Sequence, residues 1–132
     1  MKILVLDNYD SFTYNLVHIL KTLGLHKDLA VFRNDKISIE EVGQYDCILL
    51  SPGPGIPKDA GIMSEIIREY GPTKSILGVC LGHQAIGEAY GAQLYNLDEV
   101  YHGAVTDIFL KNSEPIFHEV PDSFKACRYH SW

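Results

Sequence analysis

The segment Gly78-Val79-Cys80-Leu81-Gly82 sets a cysteine between two glycines, and this is where the sequence carries its most specific chemistry. An apolar run, Ile76-Leu77-Gly78-Val79, precedes the cysteine and a helical pattern follows it, so G-x-C-x-G reads as a nucleophile elbow with sulfur in place of oxygen. Side chains at Gly78 or Gly82 would collide where strand and helix fold back on each other. The turn pushes Sγ of Cys80 outward and aims the positive end of the following helix at it, which favours the thiolate. It also points the Leu81 N–H to where an oxyanion develops on an attacked carbonyl. A second such donor is expected from Gly53-Pro54-Gly55, since glycine lets a bare amide approach a ligand closely. Gln84 lies one helical turn beyond Cys80 on the same face, able to bind polar groups of a substrate. The competing readings are plain: Cys80 as a small buried hydrophobe, residues 53–55 as a connecting turn, Gln84 as a solvated helix residue.

Such a site needs strands that end beside one another and helices that start there. Residues 2–7 (KILVLD) form a short apolar run and read as a buried first strand. Apolar positions then recur at three- and four-residue spacing through Phe12, Leu16, Val17, Ile19, Leu20 and Leu23, predicting a helix over 12–23 with Asp10 or Ser11 as N-cap and Gly24 as stop. Residues 29–34 and 45–51 read as further strands, with a brief helical turn around Ser38, Glu40 and Glu41 between them. Three prolines and three glycines within 51–61 exclude regular structure there and imply a rigid loop. A helix over 62–70, a strand over 75–79 and a helix over 81–90 follow, and then short β-like pieces at 92–96, 104–110 and 124–130. Repeated strand-then-helix order predicts an α/β fold, an open, mainly parallel doubly wound sheet with helices on both faces. Ligands of such sheets sit beyond the carboxyl ends of the strands, here residues 8–11, 51–61 and 80–84.

Composition narrows the functions available. With 132 residues, 46% hydrophobic and 21% charged, the chain suits one globular domain, residues 1–132, rather than disorder or a collagen-like repeat. A net charge of −6 leaves no basic field for a nucleic-acid backbone. No apolar run nears the roughly 20 residues that span a bilayer, and the start MKILVLD lacks the parts of a signal peptide, which points to a cytoplasmic protein without a membrane partner. Cys47, Cys80 and Cys127 are odd in number and widely spaced, fitting neither a disulfide framework nor a zinc site. Neither a metal nor another cofactor is expected: metal-ligand spacing, a dinucleotide G-x-G-x-x-G and a Walker loop are all absent from the sequence.

Five segments in order, DNYDSFTYN (7–15), SPGPGIP (51–57), GVCLGHQAI (78–86), His102-Gly103 and RYHS (128–131), resemble class I glutamine amidotransferases of the anthranilate synthase component II and aminodeoxychorismate synthase component II type. The resemblance runs over the whole chain. It implies that Cys80 attacks the side-chain amide of glutamine, forms a glutamyl thioester and releases ammonia to a chorismate-binding synthase subunit (component I). It also implies an oxyanion hole from the Gly53 and Leu81 amides, and a glutamine pocket lined by Gly53, Pro54, Gly55, Gln84, Ser131 and Trp132. Trp132 stands where relatives often carry leucine, and Ala104 follows the His-Gly pair where many have lysine. In the family, the region matching Asn8, Tyr9, Asp10, Ser11, Phe12 and Tyr14 lies near the synthase. The two chorismate-using branches are not separated by any residue here.

The family's catalytic histidine and glutamate lie in a His-Pro-Glu signature downstream of RYHS. None of His18, His26, His83, His102, His118 and His130 is followed by Pro-Glu. His83 rides the elbow helix and suits packing or capping better than base catalysis. His130 falls near pocket residues but not in the family's base position. The expectation is therefore a chain truncated at its C-terminus, lacking late strands and a terminal helix, with exposed apolar surface and no glutaminase turnover of its own. Two other readings stand beside it: a non-catalytic subunit that binds glutamine or the synthase, and a DJ-1-like cysteine hydrolase, which leaves SPGPG and RYHS unexplained.

Overall fold

A computed structural model describes residues 1–112 and 114–130, the side chain of His130 excepted. The elements fall into two compact units, residues 1–93 and 94–132.

In the first unit, β1 (Ile3–Asp7) lies at the centre of a four-stranded parallel sheet with β2 (Leu29–Arg33), β3 (Cys47–Leu50) and β4 (Ser75–Gly78), in the order β2-β1-β3-β4. The register sets Val5 beside Val31 and Leu49, and Leu49 beside Leu77. All five residues of β1 are buried, as a strand covered on both faces requires. Because successive side chains alternate across the sheet, Leu4, Leu6, Ile48 and Leu50 share one face and Val5 and Leu49 the other. The first face packs against Val42 of α2 (Ile39–Val42), Met63, Ile66 and Ile67 of α3 (Met63–Tyr70), and Leu81 and Ala85 of α4 (Leu81–Ala89). The second packs against Leu16, Val17 and Leu20 of α1 (Thr13–Thr22). This is the open α/β sheet with helices on both faces that the strand-helix order predicts. β2 and β4 are the edge strands of the described sheet, and Leu77 on β4 is 49% exposed.

Local chemistry moves several boundaries. Helix α1 starts one residue later than its apolar pattern, and Phe12, not Asp10 or Ser11, takes the cap position without a side-chain bond. Asp10 instead accepts from the Phe12 N–H at 2.8 Å, holding the turn before the helix. Gly24 ends the helix with φ +81° and donates to Lys21 O, the role of a C-terminal glycine. Ser38 and Glu41 form a reciprocal capping box on α2. The proline-rich segment is not wholly irregular: Pro57–Asp59 makes one 3-10 turn, with proline where a missing N–H costs nothing.

In the second unit, β5 (Tyr101–Phe109) and β6 (Ser123–His130) pair antiparallel in a two-stranded sheet of their own. The register slips between His102 and Ala104, where Gly103 takes φ +74°. Residues 92–96, read as β-like from sequence, form no strand.

Candidate functional site

The passage from β4 into α4 is made by one residue. Cys80 holds φ 53° and ψ −108°, a left-handed conformation that an ordinary side chain adopts only under constraint. The constraint is visible on both sides: Val79 N–H donates to Leu50 O at 3.0 Å, and Gln84 N–H to Cys80 O at 2.9 Å. A Cβ on Gly82 would stand 2.6 Å from both Cβ and O of Leu50, and one on Gly78 would strike the backbone of Gly82 and His83. The spacing G-x-C-x-G is thus a packing requirement of a helix seated against two strands.

The Gly53 loop is pressed against this elbow. A Cβ on Gly53 would lie 2.6 Å from Asn8 Cβ, 2.8 Å from Asn8 O and 2.7 Å from Leu81 Cδ2. The structure therefore brings Gly53 and Leu81 together, with Asn8 as the third member. Gly55 follows in the left-handed region with φ +73° and open space around it. Pro54 and Leu81 line a cavity of about 450 Å³ with Asn8, Tyr9, Asn34 and Asp59.

Beneath these loops runs a buried polar network. Asn8 N–H donates to Ser51 Oγ at 2.9 Å, and Asn8 Nδ2 to Ser51 O at 2.9 Å. Asn34 Nδ2 donates to Asn8 Oδ1 at 3.0 Å, while Asn34 O accepts from Ile62 N–H at 3.1 Å. Three strand ends are tied to one another and to the start of α3. A second knot sits beside it: Asp7 Oδ1 accepts from Tyr9 N–H at 3.0 Å and Thr13 Oγ1 at 2.9 Å. Tyr9 takes up the strain of this turn with φ 62°, its hydroxyl donating to Asp35 at 2.7 Å and its ring under the Arg33 guanidinium. Sequence reasoning placed Asn8 in the crevice but passed over Asp7, Ser51 as a tie, and Asn34. Their common signal is a polar residue closing an apolar strand run.

The electrostatics of Cys80 correct one expectation. Burial pushes the thiol above its ordinary value, and the carboxylate of Asp10 pushes the same way, outweighing the hydrogen bond from the Leu81 backbone that favours thiolate. The helix start contributes as expected, but withdrawing a half-buried sulfur from water costs the anion more. His83 is exposed on α4. Gln84 is half-buried on the same helix, one turn from Cys80. Ser131, Trp132 and the His130 side chain lie outside the described residues. Among the described residues, no group of His, Cys, Asp or Glu is placed to hold a metal ion, and no helix is long and apolar enough to cross a membrane.

The family described as glutamine amidotransferase class I matches residues 4–132. Anthranilate synthase component 2 of Saccharolobus solfataricus is 44% identical over 135 residues, covering 97% of this chain and 68% of that relative. The Thermus thermophilus protein of the same name is 46% identical over 133 residues, covering 99% and 64%. Among solved structures, a candidate GMP synthase protein from Thermoplasma acidophilum superposes with a TM-score of 0.82 at 27% identity, over 99% of this chain and 65% of its own. The chain thus spans about two thirds of the length of these relatives.

Proposed function

The chain belongs to the class I glutamine amidotransferases, and on that premise we propose that it is the glutamine-cleaving subunit of a chorismate-using synthase. Residues 1–132 are read as a single glutamine amidotransferase domain, supported by a family match that starts at residue 4 and reaches 132. Relatives named anthranilate synthase component 2 favour the anthranilate branch, and supply to aminodeoxychorismate formation is the second branch open to one ammonia donor.

The single observation that carries the reading is the strained Cys80 elbow with Gly53 packed on Leu81. A carboxamide is a poor electrophile, so its cleavage calls for a strong nucleophile and donors for the oxyanion. The Cys80 thiolate would attack the side-chain carbonyl carbon of glutamine, with the Gly53 and Leu81 N–H groups receiving the negative oxygen. Collapse breaks the C–N bond, ammonia leaves with a proton from an acid, and a glutamyl thioester remains. Water then hydrolyses it to glutamate, while ammonia passes to the component I synthase. Pro54, Gly55, Gln84, Ser131 and Trp132 are proposed to complete the glutamine pocket.

No histidine in these 132 residues stands before Pro-Glu, and nothing described sets a base against Cys80. A chain of these residues alone is therefore proposed to carry the nucleophile and part of the pocket without glutaminase turnover. The raised thiol also favours, as a second reading, a subunit that binds glutamine without cleaving it. Ammonia release from glutamine, measured with and without the component I synthase and with Cys80→Ser as blank, tests both. Release or a trapped glutamyl adduct that depends on Cys80 supports cleavage. Glutamine binding with neither supports the second reading.

A further inference from the structure

A backbone N–H stabilises an oxyanion only if its peptide is already turned the right way, and at Gly53 that orientation has little to hold it locally. Proline fixes φ at residue 52, so the Pro52–Gly53 peptide rotates about ψ of Pro52 and φ of Gly53, and glycine's φ is the least restricted of any residue. The side chain of Ser51 stops that rotation. Its hydroxyl accepts from Asn8 N–H at 2.9 Å and donates to Pro52 O at 2.7 Å. A serine hydroxyl has one proton to give, and with Asn8 N–H on a lone pair that proton goes to Pro52 O. Ser51 is itself fixed: it is fully buried, its N–H donates to Leu6 O at 3.1 Å, and its carbonyl accepts from Asn8 Nδ2 at 2.9 Å. A planar trans peptide points its C=O and N–H in opposite directions, and no peptide bond among the described residues is cis. Drawing Pro52 O down onto Ser51 therefore turns Gly53 N–H away from the buried network. Among the described residues, no acceptor is paired with that N–H. Asn8 and Leu81 close on the Gly53 Cα at the same time, so position and orientation are held by separate contacts.

We propose that Ser51 is a positioning residue for the oxyanion donor: its hydroxyl, held by Asn8 N–H, locks the Pro52–Gly53 peptide so that Gly53 N–H stays turned out of the buried network and available to an anion. The proposal rests on Gly53 as an oxyanion donor, but its first test needs no glutamine. Residual dipolar couplings report the direction of each N–H, and in Ser51→Ala the Gly53 coupling is expected to change while those of β1 and β3 hold. An unchanged Gly53 coupling overturns the proposal. The second test compares two reagents at Cys80, mapped by peptide mass. A glutamine-shaped chloromethyl ketone reacts by thiolate addition to its carbonyl, forming an oxyanion before chloride leaves, whereas iodoacetamide loses iodide by direct displacement. In Ser51→Ala the ratio of ketone to iodoacetamide rates is expected to fall at least about tenfold. Val42→Ala, a truncation of a fully buried residue on α2, weakens the fold without touching the loop and is expected to keep the ratio. A ratio that holds in Ser51→Ala, or falls equally in Val42→Ala, overturns the proposal. If the unsubstituted chain shows no preference of the ketone for Cys80, the glutaminase reading fails and the dipolar coupling still decides on Ser51. Should Ser51→Ala fail to fold, nitrogen relaxation of the unsubstituted chain decides: Gly53 N–H is expected to be as ordered as β3, and free motion of that N–H overturns the proposal.

Discussion

Cys80 combines backbone strain with a thiol held above its ordinary value, and both bear on stability. As pH rises past 9.0, the ordinary thiol value, the unfolded chain gives up this proton while the folded chain keeps it. The folded state then binds more protons, so this group's contribution is fully present below that pH and is lost as pH climbs through the folded value. Comparing urea midpoints of the unsubstituted chain and Cys80→Ser between pH 7 and 10 should show the unsubstituted chain losing stability faster on the alkaline side. Asn8 offers a second test at this scale, because it is 2% exposed and its amide ties Asn34 to Ser51. Asn8→Ala strands two buried partners and is expected to cost about 3 kcal/mol in urea unfolding. The elbow was legible in the sequence since its glycines and cysteine are local in the chain. The Asn8–Asn34–Ser51 network was not, because its members stand 26 and 43 residues apart. The direction of the thiol shift was misread for a related reason: desolvation belongs to packing, and no motif records it.

At the scale of elements, α4 and its glycines decide whether the site exists. Gly82→Ala drives a methyl into Leu50 and is expected to destabilise by at least about 2 kcal/mol, with loss of selective Cys80 reactivity. Gly87→Ala is the matched control on the same helix, where the new methyl meets only Ala92 Cβ at 3.5 Å. It should be neutral or stabilise by roughly 0.5–1 kcal/mol, through better helix propensity. Thermal or urea unfolding of both variants separates a packing role for glycine from mere tolerance of it. Most elements could be read from apolar periodicity, and the boundaries that moved did so where local hydrogen bonds took over. The Asp10 turn delays α1, and Pro57 starts a 3-10 turn inside a loop. Residues 92–96 alternate like a strand but have no neighbour to pair with among the described strands, and alternation alone supplies no ladder.

Across the whole molecule, the crevice is assembled from residues 8–11, 51–55 and 79–82, which come together only when β1, β3 and β4 lie side by side. Site and sheet should therefore be lost in one step. The preference of a glutamine-shaped reagent for Cys80 is expected to vanish at the same urea concentration as the far-ultraviolet signal of the sheet and helices. The measurement that bears most directly on the central claim is labelling of the native chain by a glutamine-shaped chloromethyl ketone at neutral pH, mapped cysteine by cysteine. Exposure alone would direct it to Cys127, since Cys47 and Cys80 are only partly accessible. The expected result is preferential labelling of Cys80, slowed by L-glutamine. Labelling that follows exposure across the three cysteines, unaffected by L-glutamine, would contradict Cys80 as the glutamine nucleophile.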